Sequence, residues 1–467
     1  MFIRHIPNLK NAKVTVMGLG LFGGGVGVTR YLARKGATVT VTDTKTANEL
    51  SESITQLKDL PITFNLGGHN EEDFTNSDLI IVNPAIPSDS PYLNLSIKNS
   101  IPLKTEMNLF MKLCKARTIG ITGSNGKTTT TALIGEILNK SPIKTWTGGN
   151  IGKSLLEYVD EIKQDDIVVL ELSSFQLENL SHIQVSPTIA VVTNITPNHL
   201  DRHKTMDNYI NAKKSILRYQ RNDDCAILNW DDTIVRHFTS HTKGKILFFS
   251  IKEKLVNGAF SSGEKIQFSS DNYPQEINIA GRKLLGQFNI QNMLAATAAV
   301  FASAGNIWRD WHKDAERVFN EFTGVEHRLE FVCNIKGVKY YNDSIATNPE
   351  STIVALDTLP SPIILIAGGY DKKLAFDKLA DKIAEKVKYL ILIGQTANII
   401  KDLVKKREQN ISIDIASSLK DAVYLAKNKA TRGDTILLSP ACASYDMFRN
   451  FAERGNIFKK IALEELI

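Results

Sequence analysis

Apolar residues in this chain come in short, nearly continuous blocks, each running into glycine or a polar side chain, with longer stretches of helical period between them. Continuous blocks, unlike alternating ones, mark strands buried on both faces, as in a parallel sheet covered by helices. Lys13-Val-Thr-Val-Met-Gly18 is the first, followed by a helix through Lys35. Gly36–Asp43 and Ser77–Asn83 continue the series. Thr118-Ile-Gly-Ile-Thr122, Asp166–Leu172 and Thr188–Asn194 form a second set, with helices expected over Thr128–Asn139, Asp207–Tyr219 and Met293–Ala304. A third set is Val338–Asn342, Ile363–Ala367, Tyr389–Ile393 and Thr435–Leu438. Trp146–Gly152 reads as a turn cluster, and Gly286–Asn292 as the lead-in to the helix at Met293. The polar segment Ser100–Thr105 and the segment Thr323–Leu329 divide the sets, giving an α/β chain of three domains, 1–104, 105–324 and 325–467.

The stretch with most chemical content follows Thr122. Gly123-Ser124-Asn125-Gly126-Lys127-Thr128-Thr129 joins a strand to a helix, so its amides and the helix dipole face whatever anion sits above them. Lys127 adds a charge for the outer phosphates of a nucleotide triphosphate, and the Thr128 hydroxyl is a hard ligand for Mg²⁺. The pattern is G-x-x-G-K-T, with Ile121 where the strict P-loop has its first glycine. Strands of the same set end in Glu171 and in Thr196-Pro-Asn-His199; the histidine is either a loop residue or a metal ligand. Asn289 and Asn292, three apart, either cap a helix or read a base edge. Earlier, Gly18-Leu-Gly20-Leu21-Phe22-Gly23 with Asp43 makes a G-x-G-x-x-G fingerprint, pointing to a dinucleotide or nucleotide-diphosphate site or to a ligand-free tight turn.

Composition narrows this little. The 467 residues are 43% hydrophobic and 23% charged, as in ordinary globular proteins, and the net charge of +6 comes without a basic run of the nucleic-acid-binding kind. Four scattered cysteines show no zinc or disulfide spacing. No secretory signal or membrane-length apolar run is read, which leads to the expectation of a cytoplasmic protein.

Ile119–Thr131, Glu171-Leu-Ser173-Ser-Phe-Gln-Leu-Glu178, Asn194–Arg202, Thr323–Glu330 and Ser439-Pro-Ala-Cys-Ala-Ser444-Tyr445-Asp446 together resemble the Mur ligase family, the last three its glutamate-adding branch. The resemblance implies an N-terminal Rossmann-like UDP-binding domain, a central P-loop-type ATPase domain and a Rossmann-like C-terminal domain that binds the amino acid. It implies ATP, two Mg²⁺ ions and a carbamylated Lys213 as the working set, with UDP-N-acetylmuramoyl-L-alanine and glutamate as substrates and no nucleic acid, membrane or second copy as partner. Carried over by position, Lys127, His199 and Lys213 are catalytic, and Thr128, Glu171, His199 and Lys213 hold metal. Gly123 to Thr129, Asn289, Asn292, Arg328 and Asp343 contact ATP. Gly20, Leu21, Phe22, Thr44, Lys45, Asn83, Asn150 and Ser173 contact the UDP-substrate, and Thr347, Lys372, Ser444, Tyr445 and Phe451 the glutamate. Lys45, Phe22, Asn83, Ala85, Asn198 and Ile345 depart from the family's usual residues; Ile345 replaces a lysine, for which Lys373 is the expected substitute.

Rival readings are a ligase of the same family adding another amino acid, a folylpolyglutamate synthase, an NAD-dependent oxidoreductase built on Gly18–Asp43, and a non-enzymatic ATP-gated binding protein. The Ser439-Pro-Ala-Cys-Ala-Ser444 motif argues against the other ligases, the oxidoreductase leaves the Gly123–Thr128 loop and Glu171 unexplained, and a complete set of metal ligands argues against mere ATP binding.

Overall fold

The computed structural model describes residues 8–20, 23–87, 89–150, 154–270, 274–304, 307–408 and 410–464. It contains three sheets. The first comprises β1 (Lys13–Met17), β2 (Thr38–Asp43), β3 (Ile62–Leu66), β4 (Leu79–Val82) and β5 (Leu103–Lys104), all parallel, in the order β3-β2-β1-β4-β5. The order reverses beside β1, and such a switch point opens a crevice at the strands' carboxyl ends.

The second sheet has β6 (Arg117–Thr122), β7 (Thr145–Gly149), β8 (Ile167–Glu171), β9 (Ile189–Val192), β10 (Cys225–Asn229) and β11 (Lys245–Ser250). It continues through β12 (Gly258–Ser262), β13 (Lys265–Ser269) and β14 (Gln275–Asn278), in the order β14-β13-β12-β11-β10-β9-β6-β8-β7. Its parallel centre matches the continuous apolar blocks, since Ile119, Ile121, Val168 to Leu170 and Ala190 to Val192 are all buried. The antiparallel meander β12–β13–β14 alternates exposed and buried residues, as a half-solvated sheet should.

The third sheet holds β15 (Glu330–Ile335), β16 (Val338–Asn342), β17 (Ile363–Ala367), β18 (Val387–Leu392), β19 (Ser412–Ile415) and β20 (Thr435–Leu438), in the order β15-β16-β20-β17-β18-β19. β15 runs antiparallel to β16, and the other pairs are parallel. The chain divides into two compact units: residues 1–281 with 287–320, carrying the first two sheets, and residues 282–286 with 321–467, carrying the third.

Three expectations are corrected. Of the expected turn Trp146–Gly152, Trp146–Gly149 instead belong to an edge strand, Thr145–Gly149, paired with β8, and Ile151 and Gly152 lie outside the described residues; Gly149 lies against the Glu171 backbone, where no side chain fits. The helix expected from Met293 starts at Gln287, so Asn289 and Asn292 lie within its first turns and do not cap it. The helix over Asp207–Tyr219 ends at Lys214, and a 3-10 turn Ser215–Leu217 follows. Among the described residues no helix is long and apolar enough to cross a membrane.

Candidate active site

β6 delivers the chain into the loop Gly123–Gly126, and the helix Lys127–Leu138 begins at once. Gly126 adopts φ +83°, a left-handed conformation that costs glycine nothing, and its α-carbon faces the Asn292 amide so closely that a Cβ would collide. The helix's N-cap, Gly126, has no side chain with which to cap the first turn, an arrangement that leaves room for an anion at the amides and the positive end of the helix dipole.

The loop is fixed from the neighbouring strand exit. Ser124 N donates to Asn194 O at 2.8 Å and Asn125 N to Asn194 Oδ1 at 2.9 Å. Thr193 Oγ1 donates to Asn125 O at 2.6 Å, and Thr196 N to Ser124 Oγ at 2.9 Å. The Tyr209 hydroxyl lies 2.9 Å from Ser124 Oγ.

Two lysine nitrogens converge here. Lys127 Nζ donates to Gly123 O and Ser124 O at 3.0 Å each, and the buried Lys213 Nζ donates to the same Gly123 O at 2.8 Å. Burial, and then the nearby Lys127 charge, push the Lys213 amine well below its ordinary pKa, against the opposing pull of Glu171. Glu171 ends β8 and is itself buried; its Oε1 accepts from Asn150 Nδ2 at 3.0 Å, while its Oε2 is buried with no hydrogen-bond partner. An orphaned carboxylate oxygen in such a place is costly unless a cation meets it.

His199 is held in the left-handed region at φ +53°, with its ring edge-on to Phe175 at 5.3 Å; Phe175 also stacks on His203. Among the described residues no three His, Cys, Asp or Glu side chains converge on a point that would hold a metal. Thr128 and Lys213 lie outside that residue set, so the expected four-ligand combination is of another kind.

Asn292 Nδ2 donates to Asn289 Oδ1 at 3.1 Å, and Thr130 Oγ1 to Asn292 Oδ1 at 3.3 Å; both amides are buried, Asn292 directly against Gly126. Ser173 caps the helix Ser174–Ile183 in a capping box with Gln176, which occupies part of its hydroxyl's bonding capacity. In the first sheet Asp43 accepts from Leu19 N at 2.9 Å and Gly20 N at 3.3 Å, while Asn83 Nδ2 donates to Gly18 O at 3.2 Å. Thr44 and Lys45 follow Asp43 as exposed residues. Leu21 and Phe22 lie outside the described residues.

The second unit gathers its candidates on the loops after β16, β17 and β20. Buried Asp343 accepts from Ser439 Oγ at 2.7 Å and Leu329 N at 3.1 Å. Burial raises its carboxyl to about 7, against the lowering effects of Ser439, Arg328, Leu329 N and Arg454. An isolated bridge, Tyr370 to Ala443, brings the Lys372 loop beside Ser444, and Tyr370 meets Tyr445 edge-on at 6.0 Å. Phe451 begins the helix Phe451–Leu463, and its carbonyl accepts from Ser344 Oγ in the loop that carries Thr347. Lys373 lies with its charge on Asp371, Nζ to Oδ2 2.7 Å.

The sequence of residues 121–300 matches the Mur ligase middle domain, 327–442 the Mur ligase glutamate ligase domain, and 12–104 the MurD-like N-terminal domain of Mur ligases. The UDP-N-acetylmuramoylalanine–D-glutamate ligase of Clostridium tetani is 43% identical over 97% of this chain and 96% of its own. The chain belongs to the Mur ligase family. The corresponding ligase of Acetivibrio thermocellus is also 43% identical, over 97% of this chain and 96% of its own. Among solved structures, the UDP-N-acetylmuramate-alanine ligase of Thermotoga maritima shares the fold with TM-score 0.64 at 19% identity, covering 97% of this chain and all of its own. The middle domain of a Mur ligase implies that this chain binds ATP.

Two residues of this Mur ligase escaped the sequence reading. Tyr209 was legible only as a helix residue. Arg454 sits on the buried face of its helix, sharing it with Gly455, Phe458, Ile461 and Ala462. A charge in an otherwise apolar stripe is the signal that marks it.

Proposed function

We propose that this Mur ligase joins D-glutamate to the carboxyl group of UDP-N-acetylmuramoyl-L-alanine, converting ATP to ADP and phosphate, in the cytoplasmic synthesis of peptidoglycan precursors. The observation that carries the reading is the convergence of Lys127 and Lys213 on the carbonyl of Gly123 beneath an uncapped helix start. The names of the relatives point to the same amino acid. Boundaries near 104 and 324 and a monomeric chain complete the proposal.

The substrate carboxylate attacks the γ-phosphorus, breaking its bond to the bridging oxygen and giving an acyl phosphate and ADP. The glutamate amine then attacks the acyl carbon, phosphate leaves, and the amine loses a proton. Phosphoryl transfer needs placement and charge neutralisation more than covalent help. Lys127 and the first-turn amides hold the outer phosphates where negative charge is transferred. Thr128, Glu171, His199 and Lys213 would hold Mg²⁺, and the unpartnered Glu171 Oε2 fits that task. When bound, the metal supplies Lewis-acid neutralisation of phosphate oxygens. Carbamylation of Lys213 is consistent with its depressed pKa, because the neutral amine is the form that combines with CO₂. Ser124, Asn125, Gly126, Thr129, Asn289, Asn292, Arg328 and Asp343 are assigned to the nucleotide. Gly20, Leu21, Phe22, Thr44, Lys45, Asn83, Asn150 and Ser173 are assigned to the UDP-substrate. Thr347, Lys372, Ser444, Tyr445 and Phe451 are assigned to glutamate.

Phosphate release is the test, measured with ATP, Mg²⁺ and UDP-N-acetylmuramoyl-L-alanine, with D- or L-glutamate side by side. Release that requires both acceptor and D-glutamate is expected. Release independent of glutamate, or preference for the L-enantiomer, would refute the reading.

A further inference from the structure

The exit of β10, Asn229-Trp230-Asp231-Asp232, belongs to none of the motifs above, yet it grips the segment that grips the phosphate loop. Asn229 is buried, and its Nδ2 donates to Thr193 O at 2.7 Å. Asp232 accepts from Ile195 N at 2.8 Å through Oδ2, and from Ile234 N and Val235 N at 2.9 Å each through Oδ1. Asp231 turns the other way, accepting from Ser250 Oγ at 2.6 Å and Ile251 N at 2.7 Å at the end of β11. The two adjacent acids therefore have separate tasks, and only Asp232 reaches towards β9.

The bonds form a relay of three tiers. Asn229 and Asp232 hold Thr193 O and Ile195 N, on either side of Asn194. Residues 193, 194 and 196 in turn hold Ser124 and Asn125 by side chain and backbone. Those two loop residues set the path of the chain into Gly126 and Lys127. A carboxylate that accepts three amides is a stiff, charge-assisted fastening, far better defined than a surface ion pair.

We propose that Asp232, assisted by Asn229, is a positioning residue for the nucleotide site: it touches no substrate but fixes the strand exit that shapes the phosphate loop. The proposal rests on the reading of Gly123–Thr128 as the ATP-phosphate site. Removal of the carboxylate releases Ile195, lets Asn194 and Thr196 shift, and loosens the amides that must be preorganised for phosphate. The residues assigned to the UDP-substrate lie on the first sheet and, as Asn150 and Ser173, after β7 and β8, and none of them belongs to the relay.

The test uses the full-length protein and its Asp232→Ala, Asp232→Asn and Asn229→Ala variants. Calorimetry measures affinity for the non-hydrolysable analogue AMP-PNP with Mg²⁺ and, separately, for UDP-N-acetylmuramoyl-L-alanine. Asp232→Ala is expected to weaken AMP-PNP by about tenfold or more while changing the UDP-substrate by less than about twofold. Asp232→Asn, which keeps one acceptor oxygen, should recover part of the loss. Hydrogen exchange at residues 123–128 should quicken in step. Unchanged AMP-PNP affinity in a folded variant, or equal weakening of both ligands, would overturn the proposal. If Asp232→Ala does not fold, the same criterion applies to Asp232→Asn and Asn229→Ala. Lys127→Ala serves as the control. If it leaves AMP-PNP affinity intact, the phosphate-loop reading itself fails, and exchange at 123–128 alone then decides for or against the role of Asp232.

Discussion

Asp343 gives the second unit a stability that should fall as pH rises through neutrality. Its carboxyl has a pKa raised from 3.8 to about 7, because burial outweighs the help of Ser439, Arg328, Leu329 N and Arg454. Between those two values the folded chain keeps a proton that the unfolded chain has released. Stability must therefore be greatest below the unfolded pKa and decline as pH climbs towards the folded one. A shift of roughly three units corresponds to a ceiling of ~4 kcal/mol at about 1.4 kcal/mol per unit. The reference is Asp343→Asn, which cannot ionise. It also loses an acceptor lone-pair set for Ser439 Oγ or Leu329 N, which should cost about 1 kcal/mol at every pH. The offset between wild type and variant is thus uninformative, and the pH dependence of that offset carries the information. Thermal unfolding of the full chain should show wild type ahead at pH 5 and losing several degrees relative to the variant by pH 8.5, at roughly 2–4 °C per kcal/mol for a unit of this size. Parallel curves over that range would mean that Asp343 is ionised throughout, and the reasoning from burial would be wrong.

Arg454→Met should destabilise the second unit by about 2–5 kcal/mol, since it takes the guanidinium from the carbonyls of Ser344 and Cys442 and one of two donors from Ala443 O, which keeps the Tyr370 amide. A loss under about 1 kcal/mol in chemical denaturation would contradict this. Lys213→Ala should be nearly inactive and partly rescued by short carboxylic acids that replace a carbamate; full activity in CO₂-depleted buffer would exclude that role. Lys373→Asn, with a residue suited to φ +59°, should raise the Michaelis constant for glutamate by freeing the Asp371 charge beside Lys372. The double variant with Asp371→Asn should recover it, and a double no better than the single would show that the pair has no such part.

The parallel strands were legible because they are buried on both faces, a setting in which every position along a strand favours Ile, Val or Leu. β7 was not, because Thr145-Trp-Thr-Gly-Gly149 is an edge strand whose two glycines read as a turn. At Gly149 the backbone of Glu171 comes too close for a Cβ. The strand–loop–helix around Gly123–Gly126 was legible because local sequence dictates its local backbone. The bonds that hold it, from Thr193, Asn194, Thr196 and Tyr209, depend on which strands become neighbours, and no spacing along the chain encodes that. Lys373 shows the limit for charges. Beside Lys372 it reads as a substitute for the lysine absent at Ile345, and what the sequence does not show is that its charge is paired with Asp371, two residues away.

The two glycine-rich turns of the first unit look alike in sequence and differ in what they do with their amides. After β1, the Leu19 and Gly20 amides already donate to the buried carboxylate of Asp43. An anion placed there would compete with a fixed negative charge for the same donors. After β6 the Ser124 and Asn125 amides donate to the neutral groups of Asn194 rather than to a carboxylate, and two lysine nitrogens lie on the carbonyl side. The first turn therefore suits a ligand's neutral hydrogen-bonding groups, with Asp43 setting the position of Thr44 and Lys45 through its bond from Lys45 N at 3.0 Å. The second suits a highly charged polyphosphate. An oxidoreductase reading of Gly18–Asp43 needs that carboxylate turned to a ribose, and here it is turned into the loop.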